Sequence, residues 1–196
     1  MFTGIVQGLG KINKKSNNVY EIKTILDLGD CKIGSSICCD GVCLTVTNIK
    51  KEKSNFLFST NIGEETNERS IFGITKERQH YINLEKSLKF GDEISGHFVH
   101  GHVDCITKLI KIKKLQSSWE FIFEKKFDQN NFLIVEKGSI SINGVSLTIA
   151  KTAEDYFVTS IIPHTFNNTN FKFAKENDFV NIEFDYLSRY HFNRNE

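Results

Sequence analysis

Short apolar or alternating runs recur along the whole chain, several of them separated by turn residues. In the first half they cover residues 5–8, 20–24, 36–39, 44–47, 56–60 and 81–84. In the second half they cover residues 103–112, 120–123, 132–135, 139–142, 146–150, 156–161 and 180–184. Runs this short, with side chains alternating between two faces, predict β-strands. Asp40-Gly41 and Asn143-Gly144 sit between adjacent runs, and Lys137-Gly138 precedes another. Asp-Gly and Asn-Gly are strong hairpin signals because the turn needs positive φ angles. About six short strands per half predict an all-β protein of two small closed barrels, closure being a way to remove exposed sheet edges. A short helix is predicted at the end, capped by Asp185 and carrying Leu187, Tyr190 and His191 on one face. That stripe is too short to be stable alone and needs a packing partner.

The two halves repeat one another. DGVCLTV begins at Asp40 and NGVSLTI at Asn143. Around them, 56–60 matches 156–160, Ile62-Gly63-Glu64-Glu65-Thr66 matches Ile162-Pro163-His164-Thr165 with one residue dropped, and 81–85 matches 179–183. Gly4-Ile5-Val6 lines up with Gly101-His102-Val103. Several matches in one order mark an internal duplication. The units are residues 1–97 and 98–185, with 186–196 left as a tail.

With 196 residues, the chain has room for two small domains. A net charge of +1 with mixed signs marks no polyanion-binding face, which argues against nucleic acid. The N-terminus lacks the charged and apolar regions of a signal peptide, and no run approaches the ~18 apolar residues of a membrane span. Five cysteines, an odd number, without a leader read as reduced thiols in the cytoplasm.

The repeat differs in reactive chemistry at one position, where Cys43 stands against Ser146. Residues two apart on a strand share a face, so Cys43 goes with Thr45 and Ser146 with Thr148. In isolation, a Cys or Ser at the start of a strand is usually a small core residue or a turn hydrogen-bonder; paired with the threonines, such a face suits a polar heterocycle or polyol. His97, His100 and His102 cluster in SGHFVHGHVD. They lack a convincing ligand set beyond Asp104 and Cys105, so no metal is expected, and proton transfer near neutrality suits them better. Lys137 reads by default as a solvated lysine.

MFTGIV, DGVCLTV, SLKFGDEISGHFVHGHVD, NGVSLTI and VNIEFDYLSRY together resemble riboflavin synthase of the α-subunit type along essentially the whole chain. The resemblance implies two six-stranded Greek-key barrels and a C-terminal helix, with residues 186–196 helping to assemble a homotrimer. It implies a transferase that moves a four-carbon unit between two molecules of 6,7-dimethyl-8-ribityllumazine held in one site. The products are riboflavin and 5-amino-6-ribitylamino-pyrimidinedione, and no cofactor or metal is required. It also leaves room for association with lumazine synthase. Carried over by motif, a first pocket takes Gly4, Ile5, Val6, Cys43, Leu44, Thr45, Asn61, Ile62, Gly63, Glu64, Glu65, Thr66, Gly101, His102 and Val103. A second takes Lys137, Ser146, Leu147, Thr148, Ile162, Pro163, His164, Thr165, Phe166 and Asn167. Cys43, His102, Ser146 and Thr148 are the catalytic candidates, His102 with Ser146 or Thr148 for proton transfer and Cys43 or Ser146 as nucleophile. His164 departs from the pattern, standing where an acidic residue can occur, and the tail is short. Two rival readings are a non-catalytic lumazine- or flavin-binding antenna and a flavin-dependent reductase, the latter requiring a nucleotide-binding domain that the sequence lacks.

Overall fold

The computed structural model describes residues 1–16, 18–74, 80–127, 131 and 133–188. The first barrel is built from β1 (Gly8–Lys14), β2 (Val19–Thr24), β3 (Ser36–Cys39), β4 (Val42–Glu52), β5 (Asn55–Asn61) and β6 (His80–Lys86). Its strands close in the order β1-β2-β5-β4-β3-β6, all neighbours antiparallel. The second comprises β7 (Cys105–Lys114), β8 (Trp119–Glu124), β9 (Ser139–Ile142), β10 (Val145–Thr152), β11 (Tyr156–Ile161) and β12 (Phe179–Phe184), closed in the same circular order. Helices α1 (Glu64–Arg69) and α2 (Ile71–Ile74) lead into β6, while α3 (Pro163–Asn168) and a 3-10 turn (Asn170–Phe173) lead towards β12.

Alternation decides which way each side chain faces. Along β4, Val42, Leu44 and Val46 are buried in the first core with Ile12, Ile22, Phe58, Ile82 and Leu84, while Cys43 and Thr45 face outward. Along β10, Val145, Leu147 and Ile149 enter the second core with Phe121, Phe123, Phe157 and Ile182, leaving Ser146 and Thr148 outside. Matching irregularities after Val46 and Ile149 bend the paired strands, as barrel closure demands. Both hairpin turns have positive φ at both central residues, Asp40 and Gly41 in one, Asn143 and Gly144 in the other.

The turns also join the barrels. Each packs backbone against backbone on the other, so a Cβ at Gly41 would lie 2.9 Å from the Gly144 nitrogen and one at Gly144 2.7 Å from the Gly41 nitrogen. Around them, Asn83 Nδ2 donates to the Asn143 carbonyl (2.9 Å) and Asn181 Nδ2 to the Asp40 carbonyl (2.7 Å). Reciprocally, Asp40 Oδ1 accepts the Asn83 N–H and Asn143 Oδ1 accepts the Asn181 N–H. These repeat residues form a two-fold polar hub, all four buried and linked by these hydrogen bonds, with Asp40 Oδ2 left unpaired.

Three expectations about elements change. Residues 5–7 precede the first strand, which begins at Gly8 and runs through the weakly apolar GLGKINK. Gly10 is needed inside that strand, because a Cβ there would press to 2.5 Å from Ile22 Cγ2. Leu133, Ile134 and Val135 lie outside any strand, Leu133 and Ile134 being buried in the core, while Phe132 lies outside the described residues. The 103–112 run becomes a strand from Cys105 to Lys114. Asp185 Oδ1 accepts the Leu187 N–H at 3.0 Å, as a cap should; Tyr190 and His191 lie outside the described residues. Among the described residues, no helix is long and apolar enough to cross a membrane.

Candidate active site

The segment that opens each half crosses to the other barrel. Cys43 on β4 donates its backbone N–H to the Gly101 carbonyl at 2.8 Å, and Ser146 on β10 donates to the Gly4 carbonyl at 2.8 Å. Val103 accordingly packs on the first core and Val6 on the second. Between these crossings, Phe2 and Val99 pair reciprocally at 2.7 and 3.0 Å. Glycine is required at each contact: Gly4 and Gly101 have φ of 75° and 78°. A Cβ on Gly4 would stand 2.6 Å from the Ser146 nitrogen, and one on Gly101 2.6 Å from Cys43 Cβ.

A buried glutamate clasps each crossing. Glu85, on β6, accepts the Thr3 N–H (2.7 Å), the Thr3 hydroxyl (2.9 Å) and the Gly4 N–H (3.0 Å). Glu183, the matching residue on β12, accepts the N–H groups of His100 (2.6 Å), Gly101 (2.9 Å) and His102 (3.1 Å). Burial raises both carboxyls above their ordinary range, Glu183 to about 7, despite backbone donors that favour the charged form.

The crossings regroup the expected pockets. Gly101, His102 and Val103 lie over β4 with Cys43 and Thr45, whereas Gly4, Ile5 and Val6 belong with Ser146 and Thr148 on β10. In the first seat, the β4–β5 register sets Val46 opposite Thr60 and so brings Asn61, Gly63 and the start of α1, with Glu64, Glu65 and Thr66, alongside Thr45. Ile62, Leu44 and Leu147 are buried in the barrel cores, so only their backbones lie at the seats. Structurally, Ile62 matches the fully buried Ile161, and Gly63 matches Ile162, each the residue before a helix; no residue is dropped between the repeats. Thr66 and Thr165 remain equivalent, their carbonyls accepting the hydroxyls of Ser70 and Thr169.

The second seat has an apolar rim in the exposed Ile5 and Ile162. Pro163 opens α3, Asn168 Nδ2 donates to the His164 carbonyl at 2.8 Å, and Lys172 Nζ holds the Asn167 carbonyl at 3.0 Å. Phe166 stacks on Trp119, the only tryptophan, with centroids 4.0 Å apart and planes within 4°. Lys137 adopts φ 68° where the first barrel has Gly34 at 90°, both donating N–H to the strand beside them. A lysine held in left-handed backbone costs on the order of 1 kcal/mol.

The sharpest contact is one the sequence did not single out. His97 Nδ1 lies 2.7 Å from Ser146 Oγ, and the His97 N–H donates to the Thr3 carbonyl at 3.1 Å. Burial holds the imidazole below its ordinary 6.5, with Asp185 opposing the shift, so the neutral ring can accept the Ser146 hydroxyl proton. His97, rather than His102, is therefore the partner of Ser146. His102 is exposed on the segment over Cys43, its ring 6.0 Å from that of His100. The cue to His97 was its place in SGHFVHGHVD, but the local sequence does not reveal which of three histidines reaches a strand almost fifty residues away.

The lumazine-binding domain model matches residues 3–87 and again 100–185, one copy per barrel. Riboflavin synthase of Actinobacillus pleuropneumoniae is 35% identical over 97% of this chain and 87% of that protein. The Brucella abortus riboflavin synthase is 34% identical over 97% and 96%. That of Buchnera aphidicola subsp. Schizaphis graminum is 36% identical over 96% and 91%. Among solved structures, LumP complexed with riboflavin superposes with a TM-score of 0.78 at 23% identity, over 94% of this chain and 99% of that one, which bears on the fold. A duplicated lumazine-binding domain, together with relatives that match it nearly from end to end, establishes that the chain belongs to the riboflavin synthase family.

Proposed function

We propose that this protein transfers a four-carbon unit between two molecules of 6,7-dimethyl-8-ribityllumazine, giving riboflavin and 5-amino-6-ribitylamino-pyrimidinedione. The observation that carries this reading is the pair of equivalent outward faces, Cys43/Thr45 and Ser146/Thr148, each completed by a crossing segment. One substrate used twice calls for two such seats, alike in shape and unlike in one reactive atom. The His97–Ser146 pair at 2.7 Å equips the second seat for proton transfer or for activation of a hydroxyl or water. The C7 methyl of the acceptor is acidic because its carbanion delocalises into the ring, and this pair assists in removing that proton. The Cys43 sulfur, or a water beside it, adds to the donor. Stacking the two rings makes a bimolecular step effectively unimolecular, which supplies much of the rate.

In this reading, the protein works in the cytoplasm as a homotrimer. The first seat of one subunit faces the second seat of another, and residues 186–196 help to hold the assembly. Lumazine synthase, if it associates, would supply substrate. Purified protein incubated with the lumazine should produce riboflavin, followed by its absorbance and fluorescence. Lumazine binding without product would refute this activity and favour the antenna reading.

A further inference from the structure

We propose that Cys38 and Cys43 form an oxidation site, closing to a disulfide across β3 and β4 when the first seat meets a peroxide. Cys38 stands directly opposite Cys43 in that ladder. The Cys43 N–H goes to Gly101, not across to β3, so this is a pair without mutual backbone bonds. Cα atoms in such pairs are about 4.5 Å apart, inside the ~4.4–6.8 Å span that a disulfide bridges. Both side chains leave the barrel on the same side, where Cys38 is buried with Phe2 and Val99 and Cys43 packs against that cluster while remaining partly exposed. Cys39, next along β3, points the other way into the first core, its thiol directed at the Ile37 carbonyl (3.8 Å).

The duplicated barrel is a built-in comparison. At the equivalent place in β9 and β10, Ser141 stands opposite Ser146. The exchange of sulfur for oxygen therefore occurs twice, at the seat residue and at its cross-strand neighbour, and only the first seat holds an oxidisable pair. Burial and the nearby Glu85 push the Cys38 thiol well up, which keeps it protonated and leaves the more exposed Cys43 to meet the oxidant.

The Cys43 sulfur attacks one oxygen of hydrogen peroxide and the O–O bond breaks, leaving Cys43 as sulfenic acid and releasing a water. The Cys38 sulfur then displaces the sulfenic hydroxyl: the S–S bond forms, the S–O bond breaks, and the Cys38 proton leaves with the hydroxyl as a second water. Two thiols are oxidised and one peroxide is reduced, and a dithiol reverses the bond. Closure turns Cys43 inward to Cys38, away from the lumazine in the first seat. This last consequence rests on the proposed function; the bond itself does not.

The test treats the full-length protein with hydrogen peroxide, alkylates remaining thiols, and cleaves before Asp40 so that Cys38 and Cys39 separate from Cys43. The expected result is a cross-link between the two fragments that survives Cys39→Ser and disappears in Cys38→Ser. Riboflavin formation should fall in parallel and return with dithiothreitol. Cys38→Ser should keep the untreated rate but lose recovery, because its Cys43 continues to sulfinic acid. Wild-type Cys43 recovered as sulfinic acid, with Cys38 still alkylatable, would overturn the proposal. A protein that makes no riboflavin before treatment yet forms the cross-link with peroxide would fail the proposed activity alone.

Discussion

The Glu183 carboxylate, on the last strand of the second barrel, accepts the backbone N–H of His102, which lies over the first barrel beside Cys43. Along with the bonds to His100 and Gly101, this contact makes a residue of one domain responsible for the geometry of the other domain's seat. Above about pH 7, where Glu183 is ionised, hydrogen bonds to charged groups contribute about 1.5–3 kcal/mol each, and Glu183→Gln faces an amide N–H group towards backbone donors. The substitution should weaken lumazine binding at the first seat by roughly 10–100-fold, with the second seat little changed. Trp119, stacked on Phe166 of the second seat, reports there: ligand quenching of its fluorescence should persist in Glu183→Gln and be lost in Glu85→Gln. Equal loss of both signals in both variants would contradict the crossed wiring.

The same carboxylate sets a pH dependence of stability. Burial lifts Glu183 from its ordinary 4.5 to about 7, so between these values the folded protein holds a proton that the unfolded chain has released. A raised carboxyl contributes stability below 4.5 that is lost as pH rises through about 7. Asp40 and Glu85, also raised by burial, act with the same sign. His97, held below 6.5, acts in the opposite sense only on the acid side. Urea unfolding from pH 6.5 to 8.5 should therefore show a decline, of which about 1 kcal/mol belongs to Glu183. Glu183→Gln should flatten that part of the curve.

His97 and Ser146 should behave as one unit. Ser146→Ala and His97→Gln each remove the 2.7 Å contact, and general acid–base assistance typically contributes about 10²–10⁴-fold. Turnover should fall by roughly that factor in either variant, and the double variant should lose little more. Because the neutral ring is the working form, the wild-type rate should drop on an acid limb below pH 6.5, a limb absent from His97→Gln. Multiplying losses in the double variant would separate their roles.

Gly4→Ala and Gly101→Ala test the crossings sterically. Each puts a Cβ into positive-φ backbone and about 2.6 Å from the facing strand. The backbone penalty of about 1–2 kcal/mol and overpacking of about 1–3 kcal/mol act together, so a loss of roughly 2–5 kcal/mol is expected by urea denaturation. Gly91→Ala, with φ 94° but nothing near its Cβ, should cost only the backbone part.

Much of this architecture could be read directly from residues. The turns at Asp40-Gly41 and Asn143-Gly144, the outward faces of β4 and β10, and the kinship of Gly4 with Gly101 all follow from alternation and repetition. The first strand escaped because Gly8, Gly10, Lys11 and Lys14 dilute its apolar pattern, although Gly10 is there to admit Ile22 and Leu84. Pocket membership escaped for another reason. Gly4 meets Ser146 across most of the chain, and no local preference indicates to which barrel an extended segment will dock. Glu85 and Glu183 carry no cue beyond their matching places in the repeat, because their partners are backbone groups that have no sequence signature of their own.

The crossed segments also limit how such a protein can diverge. In a simple tandem repeat, either copy can drift or be replaced as a module. Here Cys43 inherits its surroundings from Gly101 and Glu183, and Ser146 from Gly4, Thr3 and Glu85. Neither half carries a complete seat in its own stretch of sequence. The duplication is thus locked at the level of heredity: specialising one seat requires compatible changes in both copies, and a recombinant that exchanges one half inherits two chimeric seats.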